Sequence, residues 1–199
     1  MTARMTFIYI LLMTLGLTAC VTERLDGPDE GRAFLEGEVK KVVDRLPYQN
    51  GMALFTDINH LVSFGRFAVD PMIECLDSPN EKVRSSAALV LGTLRADAAL
   101  EKLLSMVDDQ NKWVRLEVAR AVLEIGAWDT IPIIIDGLND EDLRTRELCF
   151  HLLNEKTGED FGYTVKAEKE DRVAAVDRWK IWWERSKTDP NIQGNLTAK

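Results

Sequence analysis

Apolar positions recur along the chain at helical spacing, and the whole pattern repeats every 31 residues. Arg84, Arg115 and Arg146 mark three copies, and each arginine is followed by apolar side chains three, four and seven places later. Offsets of three, four and seven place side chains on one face of an α-helix. The sequence therefore predicts three copies of one amphipathic helix.

A second apolar set lies upstream of each arginine in the same register. It includes Ile73, Leu104 and Ile135, and a short polar turn rich in Asp and Asn separates the two sets in every copy. Each unit is thus expected to be a helical hairpin, which buries its apolar face by stacking on the next unit. An unrelated helical bundle is the competing interpretation, but the register shared by both helices argues against it. We predict an all-α fold, an α-solenoid of stacked helical hairpins with capping helices.

The turns and the arginines together carry a resemblance to a known family. An Asp or Asn stands seven places before each arginine, and a valine directly precedes the first two arginines. This pattern resembles HEAT repeats, particularly the short bacterial kind also found in phycobilin lyases, and it covers residues 66–158. The resemblance implies a ladder in which turn residues pair with arginines between neighbouring units. The ladder residues are Asp77, Arg84, Asp108, Arg115, Asn139 and Arg146. Thr145 in place of valine, and Asn139 in place of aspartate, predict a weaker third rung.

Segments on both sides of the repeats are predicted to cap the stack. Residues 29–65 contain two amphipathic helical patterns separated by "PYQNG" and form an N-terminal helical cap. Residues 159–186 form a tryptophan-rich capping helix, with the tryptophans expected in the core. Gly158 is expected to end the last repeat helix, so that the aromatic residues of "DFGY" fold back over the third repeat. Residues 187–199 are polar and are predicted to be a flexible tail.

The first twenty residues resemble the signal peptide of a bacterial lipoprotein. Arg4 precedes an apolar run at residues 7–17, which has the length of a signal-peptide core and about half the length of a membrane-spanning helix. "LTAC" follows, and it resembles the lipobox, in which the cysteine thiol receives a diacylglyceryl group. The resemblance implies removal of residues 1–19, acylation of Cys20 and a tether over residues 20–28. An ordinary signal peptide and an uncleaved anchor are the alternatives.

Such an anchor predicts a location in the bacterial cell envelope, bound to a membrane through lipid. Val21 follows the cysteine where an aspartate would favour the inner membrane, so we expect the outer membrane facing the periplasm if the host is Gram-negative. That compartment is oxidising, and a disulfide between Cys75 and Cys149 has to be considered. The two cysteines lie more than two repeats apart, whereas a bridge needs Cα atoms within about 7 Å. We expect both thiols to be free and at least partly buried.

Composition and charge narrow the classes of function. A net charge of -8 and a pI of about 4.9 do not suit a phosphate backbone, so no nucleic-acid partner is expected. The three cysteines and two histidines form no ligand cluster, so neither a metal site nor another cofactor is expected. "DFG" at residues 160–162 matches the magnesium-binding triad of protein kinases, but no glycine-rich loop or HRD-type loop precedes it. We therefore expect a protein that is not an enzyme.

The remaining candidate for function is the surface of the repeats. In HEAT stacks the second helix of each hairpin lines the concave side, and solenoids bind partners there. The exposed positions of this strip are predicted to be Ser86, Leu89, Glu117, Arg120, Glu124, His151 and Glu155. The sequence thus favours a non-catalytic, lipid-anchored scaffold or assembly factor that binds a protein partner. A lyase-like or cofactor-chaperone enzyme on the same repeats, and a spacer without a specific ligand, are the alternatives.

Overall fold

A computed structural model describes residues 30–189, and all regular secondary structure within this range is helical. The predicted signal peptide, Cys20, the tether and residues 190–199 lie outside the described residues. The helices are α1 (Glu30–Arg45), α2 (Gly51–Ser63), α3 (Val69–Cys75), α4 (Glu81–Thr93), α5 (Leu100–Leu104), α6 (Lys112–Ile125), α7 (Ile131–Gly137), α8 (Leu143–Thr157) and α9 (Lys169–Ser186). Short 3₁₀ helices at Leu46–Tyr48, Gly65–Ala68 and Asp97–Ala99 complete the described range.

The turn inside each repeat hairpin is built in the same way in all three copies. A side chain at the N-cap accepts a hydrogen bond from the first turn of the second helix, which satisfies backbone N–H groups that have no helical partner. The three caps are Asn80, Asn111 and Asp142. The repeat arginine, four residues after each cap, then donates through Nη1 to the carbonyl oxygen two residues before the cap. These bonds join Arg84 to Ser78 at 2.9 Å, Arg115 to Asp109 at 2.6 Å and Arg146 to Asp140 at 2.8 Å. The 31-residue register therefore reflects a repeated turn as well as a repeated apolar face.

The second helices of the N-terminal cap and of the first two repeats lie side by side. Helix α4 is flanked by α2 of the N-terminal cap and by α6 of the second repeat. Between α4 and α6 the approach is very close, because a Cβ atom built on Gly92 would stand 2.6 Å from the Cα atom of Ala121. Glycine at this position allows the two backbones to come together, as in other close helix contacts.

Helix α6 joins two parts of one apolar interior. Its Val118 and Val122 pack with residues of the N-terminal cap and first repeat, whereas Ala119 and Leu123 pack with residues of the third repeat and α9. The predicted core positions Val118, Ala119 and Val122 are confirmed as fully buried. An α-solenoid is the observed architecture, and the prediction of an all-α stack of hairpins is correct.

The two caps differ from expectation in detail. The sequence pattern places Phe55, Ile58 and Leu61 on one apolar face of α2, but only Ile58 and Leu61 are buried, and Phe55 is exposed. The sequence pattern likewise places Val173, Val176 and Trp179 on one face of α9, of which Val176 and Trp179 are buried and Val173 is exposed.

The segment after the third repeat folds back as predicted. Gly158 adopts a left-handed conformation, with φ of 80°, and ends α8. Tyr163 is buried and its hydroxyl donates a hydrogen bond to the carbonyl oxygen of Leu138. Phe161 packs edge-on against Trp179, with ring centroids 4.7 Å apart. These contacts close the C-terminal end of the apolar interior.

Cys75 and Cys149 are both free, as the sequence predicts. Cys149 is fully buried beside Gly137, where a Cβ atom would stand 2.3 Å from the cysteine sulfur. Burial raises the pKa of Cys149 to about 12 and the pKa of Cys75 to about 11. Both thiols therefore stay protonated at neutral pH and act as small apolar side chains.

Candidate functional site

The predicted binding strip lies on the second helices of the repeats, α4, α6 and α8. We call it the second-helix surface and define it by Leu89, Glu117, Arg120, Glu124, His151 and Glu155. All six side chains are half-buried or exposed. Three successive layers of the stack therefore contribute to it.

Ser86 does not belong to this surface, which corrects the prediction. Its relative accessibility is 3%, because α4 has second helices on both sides and only a narrow arc of it reaches solvent. Leu89 lies on that arc, is half-buried and packs against the apolar interior. The first repeat thus contributes one partly covered apolar side chain to the surface.

The charged residues of the middle repeat are paired within the chain. Nε of Arg120 donates to Oε2 of Glu117 at 2.9 Å, one turn apart on α6. Nζ of Lys156 donates to Oε2 of Glu124 at 2.7 Å and links α8 to α6 across the repeat boundary. All four side chains retain between 18% and 24% exposure, so the pairs are only partly shielded from water. The sequence analysis did not include Lys156. Its place about one repeat period after Glu124 was the signal that could have indicated the pair.

The third repeat supplies the most exposed part of the surface. His151 Nε2 and Glu155 Oε2 lie 3.6 Å apart on successive turns of α8, and both side chains are more than half exposed. The distance is too long for a hydrogen bond and the pair is ionic only when the imidazole is protonated. These two side chains are therefore free to bond to groups outside the chain.

In the middle repeat, the second-helix surface thus presents acceptors and donors whose positions are held by pairs inside the chain. Arg120 uses one of its five N–H groups on Glu117, so its remaining donors can meet a partner. Because these charges are already paired, binding does not require their side chains to be ordered first. Such an arrangement suits recognition of a polar protein surface.

The repeat ladder exists, but its acidic residue is one position later than predicted. Arg84 forms a bidentate pair with Asp109, with Nε to Oδ2 at 2.8 Å and Nη2 to Oδ1 at 3.0 Å. Both side chains are about nine-tenths buried. Burial raises the pKa of Asp109, but hydrogen bonds from Arg84 and from the Asn111 N–H, with the charges of Arg84 and Arg115, outweigh it and hold the pKa below its usual range.

The predicted ladder residues one place earlier have other roles. Asp77 pairs with Lys102, Asp108 is exposed, and the side-chain oxygen of Asn139 is buried without a hydrogen-bond partner. The physical reason lies in the turn, where the residue two before the N-cap bonds to the backbone N–H of the cap residue. Asp109 holds this place, which faces the arginine of the preceding repeat.

The later rungs use different groups. Nζ of Lys112 pairs with Oδ1 of Asp140 at 3.1 Å. By the 31-residue register, the counterpart of the Arg84–Asp109 pair would join Arg115 to Asp140, so Lys112 replaces Arg115 in this rung. Nε of Arg146 donates to the carbonyl oxygen of Val165 at 3.2 Å, so the C-terminal segment completes the last rung. The ladder is consequently a stabilising feature along the turns and lies apart from the second-helix surface.

Comparison with protein families bears on the origin of these repeats. Residues 69–154 match the family model described as HEAT repeats. The chain is similar to this family over nearly all of the three repeat hairpins, which is less than half of its length. No curated protein matches the chain. The matched residues contain all three repeat turns, the ladder and nearly the whole second-helix surface, and they lie within the predicted range of 66–158.

Proposed function

We propose that this protein is a HEAT-repeat scaffold without catalytic activity, anchored to a membrane by lipid, that binds a protein partner on its second-helix surface. HEAT repeats form helical scaffolds for protein interaction. The observation that carries the proposal is the Glu124–Lys156 pair at 2.7 Å, which holds two layers of the surface in one fixed arrangement. A surface that is ordered before binding loses less conformational entropy on association.

The environments of the cysteines and histidines support the non-catalytic part of the proposal. The raised pKa values of Cys149 and Cys75, about 12 and about 11, leave almost no thiolate at neutral pH, and the thiolate is the nucleophile. His60 is exposed and stacks on Phe64 with ring centroids 4.7 Å apart. His151 is exposed beside Glu155. The two cysteines and two histidines of the described range thus lie at four separate places, the cysteines packed among the helices and the histidines on the surface.

The lipid anchor rests on the sequence "LTAC" and its position behind a short apolar run. None of the helices within residues 30–189 is long and apolar enough to cross a bilayer. Two or three acyl chains on Cys20 would give stable anchoring, since a single chain binds only marginally. We propose a bacterial envelope location, in the outer membrane facing the periplasm if the host is Gram-negative.

The binding surface can be tested by exchanging its charges without breaking its pairs. The variant combines Glu117→Lys with Arg120→Glu, and Glu124→Lys with Lys156→Glu. Both internal pairs survive with reversed polarity and the net charge is unchanged, so the free energy of unfolding should change by no more than about 0.5–1 kcal/mol. A benzophenone amino acid at His151 then reports the partner by photo-crosslinking in native membranes.

The expected result is a protein crosslink at His151 in the otherwise unchanged chain and its loss in the charge-exchanged variant, because charge complementarity governs encounter and register. The matched control carries benzophenone at Glu101, an exposed position on the first helix of the second repeat. Equal crosslinking at Glu101, or an undiminished crosslink in the charge-exchanged variant, would reject this surface as the interface.

The anchor is tested separately by Cys20→Ala. The native chain should incorporate a fatty-acid analogue and partition into detergent, whereas the variant should do neither. A native chain that takes up no label would contradict the anchor while leaving the second-helix surface to its own test.

A further inference from the structure

The N-terminal cap carries the four most exposed large apolar side chains of the described range. Tyr48 is 82% exposed, Met52 75%, Phe34 66% and Phe55 57%, and the next value is 53% for Ile181. Terminal units of a repeat stack usually present a polar outer face, because that face meets water. The exposed apolar residues of this cap are therefore not explained by capping.

Three of these side chains lie close together in the chain at the start of α2. Met52 and Phe55 are three residues apart and share one helix face, and Tyr48 lies in the 3₁₀ turn just before the helix. We call Tyr48, Met52 and Phe55 the cap patch. Helix α2 contains one acidic residue, Asp57, and no lysine or arginine. Because Asp57 is buried against Arg45, with Nη2 and Oδ1 2.7 Å apart, the exposed face of α2 carries no carboxylate.

The distribution of charge along the chain also distinguishes the N-terminal cap from the rest of the molecule. Residues 30–66 contain five basic and five acidic residues, whereas residues 67–199 contain 18 basic and 25 acidic residues. An anionic bilayer surface repels residues 67–199, which carry a net negative charge, and exerts no net electrostatic force on the formally neutral cap. Near such a surface, the cap is the part of the molecule that approaches at the lowest electrostatic cost.

The proposed anchor places the cap next to the lipid. Nine residues, 21–29, lie between Cys20 and Glu30, the first residue of α1. The ten Cα-to-Cα steps from Cys20 to Glu30 span at most about 36 Å, so the start of α1 stays within that distance of the membrane surface. Along the stack, the α9 end lies about four helix layers from the cap, or roughly 30–40 Å at 8–10 Å per layer.

We propose that the cap patch contacts the lipid surface and inserts Met52 and Phe55 at the boundary between head groups and acyl chains. This inference rests on the proposed lipid anchor at Cys20. Tyr48 suits the same boundary, because an aromatic ring with a polar tip is favoured at head-group level. The contact fixes which end of the solenoid faces the membrane.

A second copy of the chain fits the patch less well. Three large side chains offer roughly 200 Å² each, about 600 Å² in all, whereas a stable interface takes about 800 Å² from each partner. A bilayer contact needs less area, because the acyl chains already hold the protein at the surface.

The test uses the full-length acylated chain in vesicles of phosphatidylethanolamine and phosphatidylglycerol. A benzophenone amino acid replaces Met52 in one sample and Ile181, the exposed apolar residue on α9, in the matched control. Intact-mass analysis first establishes acylation of Cys20, and irradiation then shows which adducts form. Because only groups within about 5–10 Å of the head-group boundary reach acyl chains, the phospholipid adduct at Met52 should exceed that at Ile181 by about an order of magnitude.

A second variant tests the patch as a unit. Phe55→Gln should lower the phospholipid adduct at Met52 severalfold while leaving the melting temperature nearly unchanged, since the side chain is exposed. A dimer of the chain at Met52 would assign the patch to a second copy and overturn the inference. A protein crosslink at Met52 in native envelope membranes, in place of phospholipid, would assign it to a protein partner and overturn it also.

The failures of the two proposals are distinguishable. An acylated chain with equal phospholipid adducts at Met52 and Ile181 overturns the docking orientation alone. A chain without acyl groups overturns the anchor and, with it, the docking.

Discussion

The Arg84–Asp109 pair shows how one side chain links two repeats. Both groups are nearly buried, so their charges interact with little screening by water, and Arg84 donates two hydrogen bonds to the carboxylate of Asp109. Removing one partner would leave the other as a buried charge without compensation. The stability lost in this way exceeds the stability that the pair provides relative to two well-packed apolar side chains.

We predict that Asp109→Asn lowers the free energy of unfolding at pH 7 by about 2–3 kcal/mol, because a charge-assisted bidentate pair is lost. The matched control is Asp108→Asn, at the exposed neighbouring position, which should change stability by less than about 0.5 kcal/mol. Urea denaturation of both variants measures the difference. Equal losses of stability at the two positions would contradict the assignment of the ladder to Asp109 in place of Asp108.

The same pair predicts a dependence on pH. The pKa of Asp109 is lower in the folded protein than in the unfolded chain, so its stabilisation is present above the unfolded pKa of about 3.9 and is lost as pH falls through the folded pKa. The stability difference between the native chain and Asp109→Asn should therefore narrow between about pH 4 and pH 2. A difference that stays constant over this range would show that the carboxylate charge does not contribute.

At the scale of helices, the close contact between α4 and α6 decides how the first two repeats stack. Gly92 faces the backbone of Ala121, and a Cβ atom there would also stand 2.8 Å from the Ala121 Cβ. A backbone cannot move aside as the end of a long side chain can. The helices would have to separate, and neighbouring contacts such as those of Ala88 would loosen with them.

We predict that Gly92→Ala destabilises the protein by about 1–3 kcal/mol, although alanine is the better helix former. Gly37→Ala is the matched control, because Gly37 lies inside α1 and a Cβ atom there meets nothing within 4 Å. That substitution should stabilise the protein by about 0.5–1 kcal/mol. Thermal unfolding of the two variants should move in opposite directions, and a shift in the same direction would contradict the role given to the close contact.

At the scale of the whole molecule, the apolar interior has an N-terminal and a C-terminal part that meet on α6. Trp179 is fully buried in the C-terminal part and Leu61 is fully buried in the N-terminal part. In a repeat stack each layer contacts mainly its neighbours, so a local loss of packing destabilises the adjacent layers more than the distant ones.

We predict that Trp179→Ala, at a cost of about 3–5 kcal/mol, speeds amide hydrogen exchange in α7, α8 and α9 more than in α2 and α4. Leu61→Ala, at a cost of about 2–5 kcal/mol, should show the reverse order. Hydrogen exchange followed by mass spectrometry resolves the two ends. Uniform acceleration along the chain in both variants would indicate a single cooperative unit.

Much of the fold could be predicted from the sequence because the signals are local. Offsets of three, four and seven residues, an Asx cap and a glycine after α8 depend on side chains within one or two helical turns of each other. The hairpins, their 31-residue register and the burial of Val118 and Val122 followed from these signals. Free cysteines followed from the distance that the register implies.

The details of the surfaces were decided by tertiary structure. The sequence could not show that Ser86 is covered, since this depends on helices packed on both sides of α4. Nor could it choose Asp109 over Asp108, because adjacent turn residues differ in direction and not in chemistry. The pairing of Glu124 with Lys156 depends on the distance between second helices, which no spacing within either helix determines.

By itself, then, the sequence determined the helices, their order and the interior faces, because burial at helical spacing is specified within each element. Only the tertiary structure decided which polar groups meet and which apolar groups, such as Met52 and Phe55, remain uncovered. Those outcomes depend on the approach of layers that are some thirty residues apart in the chain, and a contact such as Gly92 against Ala121 sets that approach.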